Sequence, residues 1–128
     1  MMLSQFENQR FLALETYRRD GSAVRTPLLF IIHRRRLYMR TAAHTYKVKR
    51  IQNNPKVRVA PSTFRGELKG EWVEGAARVY DAADMQWVNH LSKRRNGWFK
   101  RLIDLRNRFR DVRFVVIEVV LDGEILQV

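Results

Sequence analysis

The dipeptide Asp20-Gly21 constrains this chain more than any other short feature. It separates two runs rich in strand-favouring residues, Phe11–Tyr17 and Ala23–Ile32, and glycine accepts the positive φ that a tight hairpin turn demands. A hairpin at this point makes the first two strands antiparallel neighbours, so the chain does not open on a parallel βαβ unit. Pro27 has no backbone donor, which places the second run at a sheet edge or beside a bulge. His33–Arg36 reads as a polar turn and Leu37–Thr41 as a third strand. The three strands together read as an antiparallel meander.

The period then changes. Tyr46, Val48 and Ile51 have the spacing of a helix of about two turns, ended by Asn53-Asn54-Pro55. Val57–Ala60 returns to strand, and Arg65-Gly66 and Lys69-Gly70 punctuate a loop. Glu71–Tyr80 alternates as a long strand, with Val73, Gly75, Ala77 and Val79 on one face and Trp72, Glu74, Ala76 and Arg78 on the other. Asp81 to Asp84 begins a helix that carries Met85, Val88 and Leu91, and Gly97 breaks it. Trp98, Phe99, Leu102, Ile103, Leu105 and Phe109 form the apolar stripe of a second, arginine-rich helix. Val112–Leu121 is the sixth strand. Asp122-Gly123 is a further turn signal, with Ile125–Val128 as a short closing strand. The order β-β-β-α-β-β-α-α-β, with short steps between neighbouring strands, predicts a mainly β, α+β fold: an antiparallel six-stranded barrel with attached helices.

A chain of 128 residues buries one core and not two, so 1–128 reads as a single domain. It has no cysteine, which excludes disulfides, thiolate metal sites and cysteine nucleophiles. The longest apolar run, Pro27–Ile32, is far too short for a bilayer, and with no signal-like N-terminus the expected location is the cytoplasm.

No autonomous catalytic group stands out. His33, His44 and His90 have no metal-ligand spacing. There is no glycine-rich phosphate loop, no Gly-x-Ser-x-Gly elbow and no carboxylate pair placed for acid–base work. Neither a catalytic side chain nor a metal site is therefore expected, and any reaction falls to a cofactor. The formal charge of +12 predicts attraction to polyanions. It lies in two blocks, one running from Arg34 to Arg50 and one from Lys93 to Arg110.

The first block holds the most informative stretch, Thr41–Arg50. Hydroxyls stand where a helix begins, and Lys47 and Arg50, three apart, share a helix face. Helix N-termini offer free N–H groups and a partial positive charge to anions. A solvated basic helix with Thr45 as a mere cap would give the same pattern. The second block fits an amphipathic helix packed on the barrel, and equally a helix on an anionic membrane surface or a nucleic-acid contact face. No recognition motif accompanies the charge, so nucleic acid is the less favoured partner.

The segments Leu14–Pro27 (LETYRRDGSAVRTP), Leu37–Thr41 (LYMRT), Lys47–Pro61 (KVKRIQNNPKVRVAP), Arg65-Gly66 and Gly75–Arg78 (GAAR), with the later run Gly97 to Arg101 (GWFKR), follow a familiar order and spacing. They resemble the pyridoxamine 5'-phosphate oxidase-like superfamily, and within it the branch of coenzyme F-420-dependent (deazaflavin) oxidoreductases. The resemblance covers nearly the whole chain. It implies an FMN-binding split β-barrel that forms a homodimer, with two cofactors at the dimer interface. It places the cofactor phosphate on Thr41, Thr45, Lys47 and Arg50, with Arg40 and Val48 beside them, and the ring along Arg25, Thr26, Pro27 and Leu28. The implied activity is hydride transfer between coenzyme F-420 and a small organic substrate, with FMN as the alternative cofactor. A non-enzymatic module binding nucleic acid or an anionic surface is the competing reading. Tyr46 stands where the family usually carries Gly or Ser, which implies a narrower groove.

Overall fold

The computed structural model of the chain describes residues 2–95 and 113–125. The Trp98–Phe109 stripe, most of the Lys93–Arg110 block and the residues after Ile125 lie outside these. Seven strands form one sheet: β1 (Phe11–Tyr17), β2 (Ala23–Leu29), β3 (Ile31–His33), β4 (Arg36–Ala42), β5 (Lys56–Ser62), β6 (Val73–Asp81) and β7 (Phe114–Leu121). Helix α1 is Tyr46–Asn53, α2 covers residues 86–95, and α3 is the single turn Asp122–Ile125. Every pairing is antiparallel, and the spatial order is β2-β1-β5-β6-β7-β4-β3.

Two expectations are corrected by this order. The sheet has seven strands, not six, because the run Ala23–Ile32 breaks at Phe30. And β1 to β4 are not a meander: β1–β2 is a hairpin at one edge, while β3–β4 is a hairpin at the other, joined to the sheet through β7. The physical reason lies in the curl of the sheet, which is not closed: among the described residues no ladder joins β2 to β3. A single residue, Phe30, separates the two edge strands along the chain, so the sheet has to curl until its edges meet there. Phe30 leaves the ladder and donates its N–H to the Arg10 carbonyl at 3.2 Å. Its ring is 1% exposed and meets Phe6 edge-on, 5.9 Å between centroids. Pro27 lies on an edge strand, as its missing donor requires.

The interior follows from strand alternation. Leu12 and Leu14 of β1, Val57 and Val59 of β5, Val73 and Ala77 of β6, Ile117, Val119 and Leu121 of β7, and Leu37 and Met39 of β4 form one buried cluster. Helix α1 packs on β1 and β6 and adds Ile51 to this cluster, and it ends where expected, Asn54 donating its N–H to the Arg50 carbonyl. Gly75 is required by closeness: a Cβ there would lie 2.6 Å from the Val120 carbonyl oxygen. Outside the wall, Asp81 accepts from the Ala83 N–H to start the next helical segment. Val88 packs there against Ile31, Tyr38 and Val116, with Met85 and Leu91 alongside, as their spacing predicts. Asp122-Gly123 forms part of a helical turn that ends at Ile125; the rest of the expected closing strand, residues 126–128, lies outside the described residues.

Candidate functional site

The end of β4 and the start of α1 present a helix terminus that the chain itself does not cap. Thr45 occupies the N-cap position with extended backbone, but its side chain makes no cap hydrogen bond. Its hydroxyl instead donates backwards to the Ala42 carbonyl at 2.9 Å. The first-turn N–H groups therefore keep their donors, and no acidic residue stands in that turn.

Two cations flank this terminus. Lys47 is half-buried, and burial, reinforced by the charge of Arg50, holds its pKa below the ordinary lysine range. Arg50 is likewise lowered, by burial first and then by Arg18. Its Nε donates to Thr16 Oγ1 at 2.7 Å, which fixes the guanidinium without neutralising it. Among the described residues no carboxylate pairs with Lys47 or Arg50. Thr41, on the inner side of β4 opposite Val115, is 7% exposed, and its hydroxyl has no hydrogen-bond partner among the described residues. Uncapped amides, an unpartnered hydroxyl and partly desolvated cations are each donors of the kind that hold a phosphate or carboxylate.

The other expected residues divide. Val48 is buried on the core side of α1, so only its backbone faces the terminus. Arg40 lies over the Phe114 ring at 3.8 Å, on the outer side of β4. On β2, Thr26 and Leu28 oppose Leu14 and Leu12 and share their inward face, while Arg25 and Pro27 face outward. Arg25 is engaged outside: it lies 3.8 Å from buried Glu15, and its guanidinium is 5.0 Å from the Trp72 ring centre. The four residues thus present two faces of one edge strand rather than a single lining. Tyr46 is 74% exposed, with Lys49 Nζ 5.5 Å from its ring centre, so it stands out in solvent and does not fill the space beside Thr41.

Thr16 and Arg18 join the cluster without having been signalled by the sequence. They come from β1 and its turn, 34 and 32 positions before Arg50, and only the packing of α1 on β1 brings them there.

No protein-family model matches the sequence, and comparison with curated proteins finds no match. Solved structures do match. General stress protein 26 from Bacillus anthracis superposes with a TM-score of 0.64 at 22% identity, over 94% of this chain and 86% of that one. A protein of the pyridoxinephosphate oxidase family related to general stress protein 26, from Clostridium acetobutylicum, gives 0.65 at 13% identity, over 93% and 80%. An F420 reductase gives 0.62 at 17% identity, over 92% and 90%. The chain has the split-barrel fold of these proteins. The superfamily to which the sequence motifs pointed is thus the one whose fold this chain shares. The Thr41–Arg50 segment runs from the end of β4 into α1, and β2 is the edge strand that leads to Phe30. No helix among the described residues is long and apolar enough to cross a membrane.

Proposed function

We propose that this split barrel is a flavin- or deazaflavin-dependent oxidoreductase, with coenzyme F-420 as cofactor, acting on a small organic substrate. The observation that carries the proposal is the pair Lys47 and Arg50, held uncompensated beside an uncapped helix start. A cofactor phosphate would be bound there by the α1 amides, Thr41, Thr45, Lys47 and Arg50, and the ring would lie along the free edge of β2 at Thr26 to Leu28. The bound ring supplies the hydride chemistry. The protein binds and orients it and excludes water, and no side chain serves as obligatory acid or base. The preference for the deazaflavin rests on charge: its anionic tail suits a chain of +12. The site lies open in one chain, which favours a homodimer in which a second copy completes the groove.

The test is titration of purified protein with coenzyme F-420 and with FMN, repeated on Lys47→Ala. Micromolar binding of one cofactor, weakened at least tenfold in the variant, is expected. If neither binds, the proposal fails. Tighter binding of FMN, with a flavin absorbance band in the complex, would move the assignment to that cofactor.

A further inference from the structure

The turn between β3 and β4 is built from residues that fit it badly. It is a two-residue loop closed by the pair His33 and Arg36, and its two members, Arg34 and Arg35, have φ of 49° and 65°. Hairpins of this pattern favour Asn-Gly because both positions need positive φ, a region that side chains such as arginine rarely occupy. A sequence that keeps two arginines there gives up local stability, and such positions concentrate at binding sites.

The surroundings supply a site. A cleft of about 500 Å³ is lined by His33, Arg34, Arg36, Tyr38 and Trp87. Trp87 forms its aromatic wall: the His33 ring is 4.7 Å from it, and the Tyr38 ring meets it edge-on at 4.8 Å. Glu118 lies buried beneath, accepting from Tyr38 Oη at 3.0 Å. Arg36 reaches that carboxylate through one nitrogen at 3.4 Å, which leaves most of its donors for another anion. Arg34 is exposed and has no hydrogen-bond or ion-pair partner among the described residues. Among the described residues the cleft thus has one committed carboxylate against two guanidinium groups, beside a tryptophan.

We propose that this cleft is a second binding site, for a small planar aromatic anion whose ring packs on Trp87 and whose carboxylate or phosphate is held by Arg34 and Arg36. The volume is that of a small-molecule pocket. The planar fork of arginine suits such acids, and the electron-rich indole face suits a stacked ring. The seven residues of β4 separate this hairpin from the start of α1, roughly 20 Å along the strand. The site is therefore distinct from the proposed phosphate cradle and does not depend on it.

Calorimetric titration with 2-naphthoate, neutral 2-naphthamide and inorganic phosphate tests both halves of the proposal. Naphthoate is expected to bind at least tenfold more tightly than either of the others. Arg34→Gly should weaken naphthoate binding at least tenfold while raising Tm, because glycine accepts the positive φ. Trp87→Phe should retain part of the binding and Trp87→Leu should lose it, with coenzyme F-420 or FMN titrations unchanged in Arg34→Gly. Equal binding of all three probes, no naphthoate binding to the unaltered chain, or an Arg34→Gly chain that gains stability and binds naphthoate as before would each overturn it.

Discussion

Arg50 donates from Nε to Thr16 Oγ1 over 2.7 Å, and that bond pins a cation three residues from Lys47, whose own charge is half-buried. The two groups repel each other, and nothing among the described residues neutralises them. Two partly buried cations without a counter-charge oppose folding. Lys47→Met is therefore expected to raise Tm by a few degrees, on the order of 1 kcal/mol, while abolishing tight anion binding at α1. The pH dependence follows from the lowered lysine pKa. Between its folded and unfolded values the unfolded chain holds more protons, so this contribution makes stability rise with pH through the alkaline range where Lys47 deprotonates. Denaturant curves across that range should show the rise in the parent chain and its loss in Lys47→Met. A less stable Lys47→Met would mean that the lysine is compensated.

Thr16 is the fixed partner in this relationship, and it supplies a second prediction. Thr16→Val keeps the shape but leaves Arg50 without its acceptor. A hydrogen bond to a charged donor contributes about 1.5–3 kcal/mol, so a stability loss near the lower end is expected for a partly solvated pair. Anion affinity should fall as the guanidinium loses its orientation. A Thr16→Ser chain that restores affinity without restoring all of the stability would separate the hydroxyl's role from that of the methyl group.

Tyr38 illustrates the opposite sign. Burial, then the hydrogen bond to Glu118, push its pKa from the ordinary 10 up to about 12. Its neutral form is favoured in the folded chain, so this contribution is fully present below pH 10 and is lost as pH rises towards 12. Spectroscopic titration of tyrosinate should show one residue ionising late, and Tyr38→Phe should remove that step. The same substitution deprives Glu118, itself 5% exposed, of one of its two donors among the described residues, and is expected to cost about 1–2 kcal/mol.

Glu15 is the other buried carboxylate of the wall, 4% exposed. It lies opposite Arg25 on β2 and Arg58 on β5, and Arg58 Nε donates to it at 2.7 Å. Both arginines lie over the Trp72 ring, at 5.0 and 4.5 Å. Glu15→Gln keeps the shape and removes the charge that holds the two guanidinium groups together. A loss of about 2 kcal/mol is expected, discounted for the partial exposure of both arginines. A double-mutant cycle with Arg58→Gln should show a larger coupling to Glu15 than one with Arg25→Gln, in keeping with the longer 3.8 Å contact of Arg25.

What could be read from the sequence was what local chemistry decides. Asp20-Gly21, the donor-less Pro27, the Asn53-Asn54-Pro55 stop and the Asp81 cap each act within a few residues, and each element they delimit is present. Lys47 and Arg50 were visible for the same reason, being one helix turn apart. The break at Phe30 was not legible, because Leu28-Leu29-Phe30-Ile31-Ile32 contains no turn residue. The curl of the sheet imposes it, and that curl is a property of all seven strands. Thr16 beside Arg50, and Trp87 against His33, were hidden likewise, since pairing over 34 and 54 positions of chain exists only after folding. The turn of Arg34 and Arg35 was recognised as polar, but its positive φ belongs to a two-residue hairpin, which a strand continuing to Ile32 did not suggest.

Phe30 carries the last prediction, since it joins the two edges of the sheet. Its side chain fills the corner where β2 ends and β3 begins, against Phe6, and the Arg95 guanidinium lies 5.4 Å from its ring centre. Phe30→Ala removes a buried ring that the surrounding strands cannot collapse to replace, and about 3–5 kcal/mol of stability should be lost. Phe30→Leu refills part of the volume and should recover more than half of that. The informative measurement is hydrogen exchange of the β2 and β3 amides. If Phe30 holds the two edges together, those edge strands should open at lower free energy in Phe30→Ala, before β5, β6 and β7 lose protection. Uniform loss of protection across all seven strands would make Phe30 an ordinary core residue and leave the joining of the two edges to the remaining packing.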